Sequence, residues 1–509
     1  MRKNQLASAL AAAVVGAVGI ANMSNAININ PDGSGQALIY PYYTVEGGND
    51  TLISVVNTAN EVKAVKVRFH EHVNSREPLD FHLYLSPFDV WTATVRTNPN
   101  VDAANGFPIL FTRDASCTVP AIRGNVQLPQ LPAALGGDRY VEFNGIRMGG
   151  GSQPADARSG YLEMLEMGVV GAPLAGAATH GASGVPASCQ ALTTAWSSQG
   201  IWALNNNAGI TVPTGGLFGG AAIINVEQGR MISYNATAIE GVAFTGNGNQ
   251  HQDPSSVVPQ LATYAGSAPQ VANVFVGGRL IQSNYGAGQL GGVLSIGAIL
   301  AATNVVNEYA FTEDGTFRSE WVVTFPTKRF HTDGAPPAIP PFSTASSSAA
   351  GGCERVDFTV YDREEFRVPF VNFSPAILPS LCAEANVVNF ERLPAGGVGT
   401  SGLPPLAATP VLGARNQPAR TGNQGGLGVL RVGIPAPTSA GWANLSFVTA
   451  QTPRAFPTSV DGDTWFGLPS VGFWVLAAEN NAAAPGIRAF YSGAFTHRTQ
   501  RRCENAAGC

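Results

Sequence analysis

Between Leu38 and Val95 apolar and polar residues alternate with a period of two more cleanly than anywhere else in the chain. Val65, Val67 and Phe69 alternate with Lys66, Arg68 and His70, and Phe81, Leu83 and Leu85 with His82, Tyr84 and Ser86. Strand side chains point alternately to opposite faces, so the pattern predicts a β-meander with one dry and one wet face, half of a sandwich. Residues Thr97–Gly151, rich in Pro, Gly and Asn, read as a long insertion carrying one strand-like piece at Arg139–Arg147. Gly160–Val170 returns to the sheet, and Ala221–Val226 and Arg230–Ile239 are two further strands. A short helix is expected over Ser188–Ser198, where Leu192 and Trp196 follow a capping serine, and a buried helix over Val293–Val306.

Glu320–Phe330 reads as a strong strand, after which Gly334–Gly352 (GAPPAIPPFSTASSSAAGG) breaks the pattern. Its prolines and small residues make it a linker or long loop, and the domain boundary is expected there. Six strand-like runs follow: Arg355–Asp362, Ala383–Phe390, Gly428–Ile434, Trp442–Val448, Pro469–Ala477 and Arg488–Phe495. These predict a second sandwich. The expected organisation is a leader at 1–26, an N-terminal β-sandwich domain with insertions at 27–333, a linker at 334–352 and a C-terminal β-sandwich domain at 353–509.

The leader has a basic Arg2-Lys3 start, an apolar Leu6–Ile20 stretch and a small-x-small site at Ser24-Asn25-Ala26, so export and a mature start at Ile27 are expected. The secreted protein or cell-surface protein would carry 483 residues, enough for two or three cores, and the periplasm is an alternative location. Leu290–Val306, the most apolar later stretch, holds Asn304 and six Gly or Ala residues, which suits a buried helix rather than a transmembrane anchor. Losing Arg2 and Lys3 takes the net charge from −5 to −7 with no long run of either sign, which argues against nucleic acid as a partner. Only 12% of residues are charged, and four Lys stand against 25 Arg. Genome composition accounts for this bias, or a surface meant to pack against others. All six cysteines, Cys117, Cys189, Cys353, Cys382, Cys503 and Cys509, lie in the exported part, where an even number reads as disulfides. Pairing of sequence neighbours keeps each bridge within one proposed domain, and no Cys-x-x-Cys favours zinc.

The stretch DTLISVVNTANEVKAVKVRFHEHVNSREPLDFHLYLSPFDVW, with Asn57 ending a strand and Leu85-Ser86-Pro87 leading into Val90-Trp91, resembles the first domain of uncharacterised secreted or cell-surface bacterial proteins. A similar strand, asparagine, strand, proline rhythm occurs in immunoglobulin-like modules. The resemblance covers about 60 residues and its motifs are structural. It implies an exported, mostly β fold of two immunoglobulin-like β-sandwich domains with long loop insertions and a few short helices, and carries no active site across.

Candidate chemistry is sparse. A hairpin that set His72 opposite His82 with His70 beside it would place three imidazoles on one face, a possible metal site, against the alternative of a solvated face. Asp461-Gly462-Asp463 and Asp362-Arg363-Glu364-Glu365 offer oxygen ligands for structural calcium, although the later Gly and Glu of an EF-hand loop are missing; otherwise no cofactor is expected. Neither Gly-x-Ser-x-Gly nor His-Glu-x-x-His occurs, and Glu163 and Glu166, three apart on a strand, face opposite ways. Tyr40, Tyr42, Tyr43, Trp91, Trp196, Trp202, Trp442, Trp465 and Trp474 are aromatics for sugar binding or for sandwich cores. An outer-membrane barrel ranks last, since the polar end Arg-Cys-Glu-Asn-Ala-Ala-Gly-Cys is no membrane strand. The resulting expectation is a structural or adhesive protein of the bacterial surface, whose partners are other surface proteins, itself or surface glycans. A carbohydrate-binding protein is the alternative and a hydrolase the second alternative.

Overall fold

The computed structural model describes residues 26–101, 106–122, 128–148, 153–245, 249–333, 338–344, 352–369, 379–393, 408–415, 428–484, 487–506 and 509. The leader, apart from Ala26, and much of the run 334–352 lie outside them. The fold is mostly β with short helices between. Many strands fall where the period of two placed them, but Ala26–Ile29, Gln270–Val276 and Arg279–Tyr285 were not foreseen, and Asn304–Ala310 is a strand that begins inside the expected helix Val293–Val306. Four sheets dominate. Sheet A has ten strands, running from the edge strand Arg279–Tyr285 through Gln270–Val276, Ala26–Ile29, Thr237–Glu240, Ala37–Thr44, Ser159–Val170, Val62–Glu71 and Leu79–Leu85 to Cys117–Val119, with Ile210–Thr211 added to Ser159–Val170. Sheet B orders Arg230–Asn235, Leu217–Asn225, Asp50–Asn57, Val90–Thr97, Pro108–Phe111 and Tyr140–Glu142.

The expected meander is therefore divided between two sheets. Only Val62–Glu71 and Leu79–Leu85 form a hairpin, while Asp50–Asn57 and Val90–Thr97 cross to sheet B. Their dry faces meet in one core, where Val65, Val67 and Phe69 face Ile53, Val55 and Trp91. Each such aliphatic or aromatic side chain contributes roughly 1.5–3 kcal/mol by leaving water.

Sheet C orders Arg367–Val368, Asp357–Asp362, Ala440–Ser446, Asn304–Ala310 and Arg498–Gln500, and sheet D orders Val429–Ile434, Ala385–Arg392, Phe317–Thr324, Val471–Ala484 and Ile487–Thr496. The central strands of sheet D are dry on both sides, while its edge strand Ile487–Thr496 is partly exposed. Trp321, Val323, Phe390 and Trp474 pack with sheet C, whereas Val322, Val387, Phe473 and Val475 extend the first core, Phe473 stacking on Tyr234 at 4.6 Å. Alternating residues of the same strand thus belong to two cores.

This pairing corrects the boundary expected at 334–352. Phe317–Thr324, before that run, is hydrogen-bonded between Ala385–Arg392 and Val471–Ala484, which follow it, and Asn304–Ala310 pairs with Ala440–Ser446. The prolines end local structure, but partners for a strand are chosen by the sheet. Part of the run is itself tied in, with Phe342 buried and the Ser343 and Thr344 amides donating to Glu354.

The two expected helices form with different ends, and a further one, Lys328–Thr332, occupies the end of the expected strand Glu320–Phe330, which stops at Thr324. Cys189–Ala195 starts after Ser188, whose Oγ accepts from the Ala191 amide at 3.2 Å. Gln289–Leu300 is buried along most of its length and stops at Leu300, where the chain turns into strand. Among the described residues no helix is long and apolar enough to cross a membrane. Three disulfides join Cys117 to Cys189, Cys353 to Cys382 and Cys503 to Cys509.

Candidate functional site

The polar face of Val62–Glu71 is a buried lane of charge. All ten residues of the strand are buried, because the segment around Pro254–Pro259 and the helix Lys328–Thr332 cover the side expected to be wet. Lys66 Nζ lies 2.6 Å from Asp80 and 3.0 Å from the Pro254 carbonyl. Arg68 pairs with Glu77 and donates to the Val257 and Pro259 carbonyls at 2.6 Å each. His70 Nε2 sits 2.5 Å from Glu163, and its Nδ1 3.1 Å from the Ser75 carbonyl. A buried ion costs several kcal/mol unless it is paired and hydrogen-bonded, which is why these cations meet carboxylates and backbone carbonyls.

Burial, opposed by Asp80 and reinforced by Arg68 and Arg147, brings the Lys66 ammonium down to about 8. Burial pushes Glu77 up, but Arg68, His70 and Arg329 outweigh it and bring the carboxyl down to about 2. At one end of the lane opens a cavity of about 540 Å³, lined by Leu79, Phe81, Ile122 and Trp196 and by Glu77, Asp80 and Arg147. Arg147 closes over both acids and donates to the Ser255 carbonyl at 2.6 Å. Lys66 lies behind this wall, so its amine does not reach the cavity.

The expected histidine trio is not assembled. Lys66, not His72, stands opposite His82, and Phe69 pairs with Leu79. A shift by an even number of residues keeps dry opposite dry, so the pattern fixed the face while the turn after Glu71 fixed the register. His72 falls past the strand end, with Nδ1 2.9 Å from the Asp156 carbonyl. His82 lies among Tyr84, Trp196 and His251, held neutral first by burial and then by Lys66 and His251. Asp461 and Asp463 do not converge on a cation either. Asp461 accepts from the Asn284 amide at 2.8 Å, and Asp463 from Ser283 Oγ at 2.7 Å and Asn505 at 2.5 Å. Among the described residues the one cluster of three ligand-type side chains is Asp463 with Cys503 and Cys509, whose sulfurs are spent in a disulfide. Glu163 and Glu166 face separate partners, His70 and Lys63.

Sequence reasoning missed the lane because it read alternation as exposure. A signal existed in the rarity of lysine, since two of the three lysines beyond the leader stand on this one strand. The exposed surface divides differently. On the outer face of sheet B, Val90 and Thr92, Leu52 and Ser54, Phe218 and Ala222, and Met231 and Ser233 succeed one another across four strands, with the Asp50–Arg96 pair at one end. Leu52, Val90, Phe218 and Met231 are exposed there. The chain matches no protein-family model, no curated protein and no solved structure.

Proposed function

We propose that the protein is exported and works at the bacterial cell surface as a structural or adhesive protein, associating with a second copy of itself through the outer face of sheet B. The observation that carries this reading is that face: four open strands with large exposed side chains and one charged pair. A second copy meets no row of like charge on it, so the face is compatible with itself. The strands cover roughly 450 Å² at ~4.8 Å spacing and ~3.3 Å rise. That is about half of the ~800 Å² per partner in a stable interface. The edge strand Ile487–Thr496 abuts Met231 through Ser492 and extends the area with exposed Tyr491 and Phe495. The shortage of lysine supports the same reading, because Lys63, Lys66 and Lys328 are all buried and long flexible amines are costly to order in a contact. Two immunoglobulin-like sandwiches, sharing sheet D, belong to this proposal as its scaffold. Three disulfides suit an oxidising compartment outside the cytoplasm.

The test is sedimentation of the mature protein over a range of concentrations, beside Leu52→Lys/Met231→Lys. Concentration-dependent association lost in the variant, with unchanged circular dichroism, is the expected result. A wild type that stays monomeric, or a variant that associates as well, overturns the assignment of this face.

A further inference from the structure

Of the seven tryptophans, six are buried or half-buried and Trp442 alone is exposed, at 39%. It stands on the outer face of sheet C, where Trp442 and Asn444 alternate with buried Ala443 and Leu445, and Thr359 and Tyr361 with buried Phe358 and Val360. The register places Trp442 between Tyr361 and Glu308, and Asn444 beside Thr359. The Tyr361 and Trp442 rings are stacked, 4.3 Å between centroids and 12° from parallel. Gly441 permits this closeness, since a Cβ there would lie 2.0 Å from the Tyr361 carbonyl oxygen. Beside the pair lies a groove of about 740 Å³ whose lining includes Glu308, Asp362, Arg363 and Trp442, with Asn444 and Thr359 on the sheet face next to it.

We infer that this face is a carbohydrate-binding platform, which takes a neutral pyranose chain with one sugar ring against Trp442. The inference names a ligand for the surface-binding protein proposed above, and rests on that reading in placing the protein outside the cell. A pyranose presents an apolar CH face and a rim of hydroxyls. The indole answers the first, and the Asn444 Nδ2 donor (its Oδ1 accepts from Asn304 Nδ2 at 2.8 Å), the Thr359 hydroxyl and the Glu308 carboxylate, which can accept from neighbouring hydroxyls, answer the second. Trp442 is the exposed tryptophan of the chain, and the stack on Tyr361 holds its ring upright on the sheet with one side left to solvent. Glu308, Asp362 and Glu365 outnumber Arg363 at the groove, which disfavours phosphate-bearing or other anionic chains. A proline-rich peptide would also seek an aromatic groove, but has less use for a row of amide, hydroxyl and carboxylate groups along the strands.

The experiment titrates short oligomers of glucose, mannose and N-acetylglucosamine into the mature protein, reading tryptophan emission and heat of binding. Trp442→Ala, Glu308→Gln and Trp442→Phe are run alongside, with a polyproline peptide as competitor. At least one oligomer is expected to bind saturably and shift the emission. Trp442→Ala should weaken it about tenfold or more, the loss expected of one stacking contact. Trp442→Phe should recover part of the affinity, and Glu308→Gln should weaken it without changing thermal unfolding. Leu52→Lys/Met231→Lys should bind sugar normally, which separates a failure of this inference from a failure of the assembly reading. Absence of binding across the panel, binding indifferent to Trp442→Ala, or preferential binding of the polyproline peptide at Trp442 overturns the inference.

Discussion

Lys63, Lys66 and Lys328 reverse the habit of lysine, which ordinarily keeps its ammonium in water. Lys63 meets Glu166 at 2.8 Å, Lys66 meets Asp80, and Lys328 donates to the Cys382 carbonyl at 2.8 Å. An amine-acylating reagent should therefore leave all three unmodified in the folded mature protein and modify all three after denaturation, as read by peptide mass spectrometry; rapid labelling of Lys66 in the native state would refute the covered lane. Titrating groups give a second expectation. Burial brings His497 down to about 4, although the hydrogen bond to the Val322 carbonyl raises it. The unfolded chain then binds a proton between about 6.5 and 4 that the folded chain refuses, so this group's contribution is present above 6.5 and lost on acidification. Glu384 runs the other way: burial, against Lys328 and Ser75, raises it to about 7, so its contribution is complete below 4.5 and lost as pH rises through 7. In urea unfolding across pH, any stability advantage of wild type over His497→Gln should shrink toward pH 4, and any advantage over Glu384→Gln should shrink toward and beyond pH 7. At this scale the sequence displayed the chemistry of each side chain but not its solvent. Nothing local to Arg68 foretells that the Val257 and Pro259 carbonyls, 189 and 191 residues away, receive its guanidinium.

The strand Val62–Glu71 shows what an element inherits from its own sequence and what it is given. Its alternation sets which residues look toward sheet B, and the structure keeps that division. Whether the opposite side is wet depends on other segments lying over it, here including Pro254–Pro259 and the Cys189–Ala195 helix farther along the sheet. The bridge from Cys117 to Cys189 fastens that helix to the strand Cys117–Val119, and beneath it Tyr84 stacks on Trp202 at 5.5 Å. The bridge spans a sequence separation of 72. Replacing both cysteines by alanine should lower stability by about 2–5 kcal/mol in urea unfolding under oxidising conditions. A variant as stable as wild type would mean that packing alone holds the helix. His72 and His82 missed each other at this same scale, since an even shift in register preserves the burial pattern and only the turn chooses among such registers.

At the scale of the whole molecule, sheet D prevents the two halves from being independent. A protease site introduced within residues 345–350 and then cut should yield two pieces that remain together on gel filtration in native buffer and separate only in denaturant, because Phe317–Thr324 is held between two strands from beyond the cut. No disulfide joins the pieces, so separation without denaturant would show that pairing to be weak. The sequence by itself determined where most strands lie, which of their side chains share a face and where turns interrupt them, because these follow from the two-residue period of an extended backbone and from the restricted conformations of proline and glycine. Only the tertiary structure decided that the charged face of Val62–Glu71 is dry, that one sheet serves two cores, that the three histidines part and that Trp442 alone among the tryptophans stands exposed. Each of these depends on which distant segment covers a face, and a period along the chain contains no information about the segment that will lie across it.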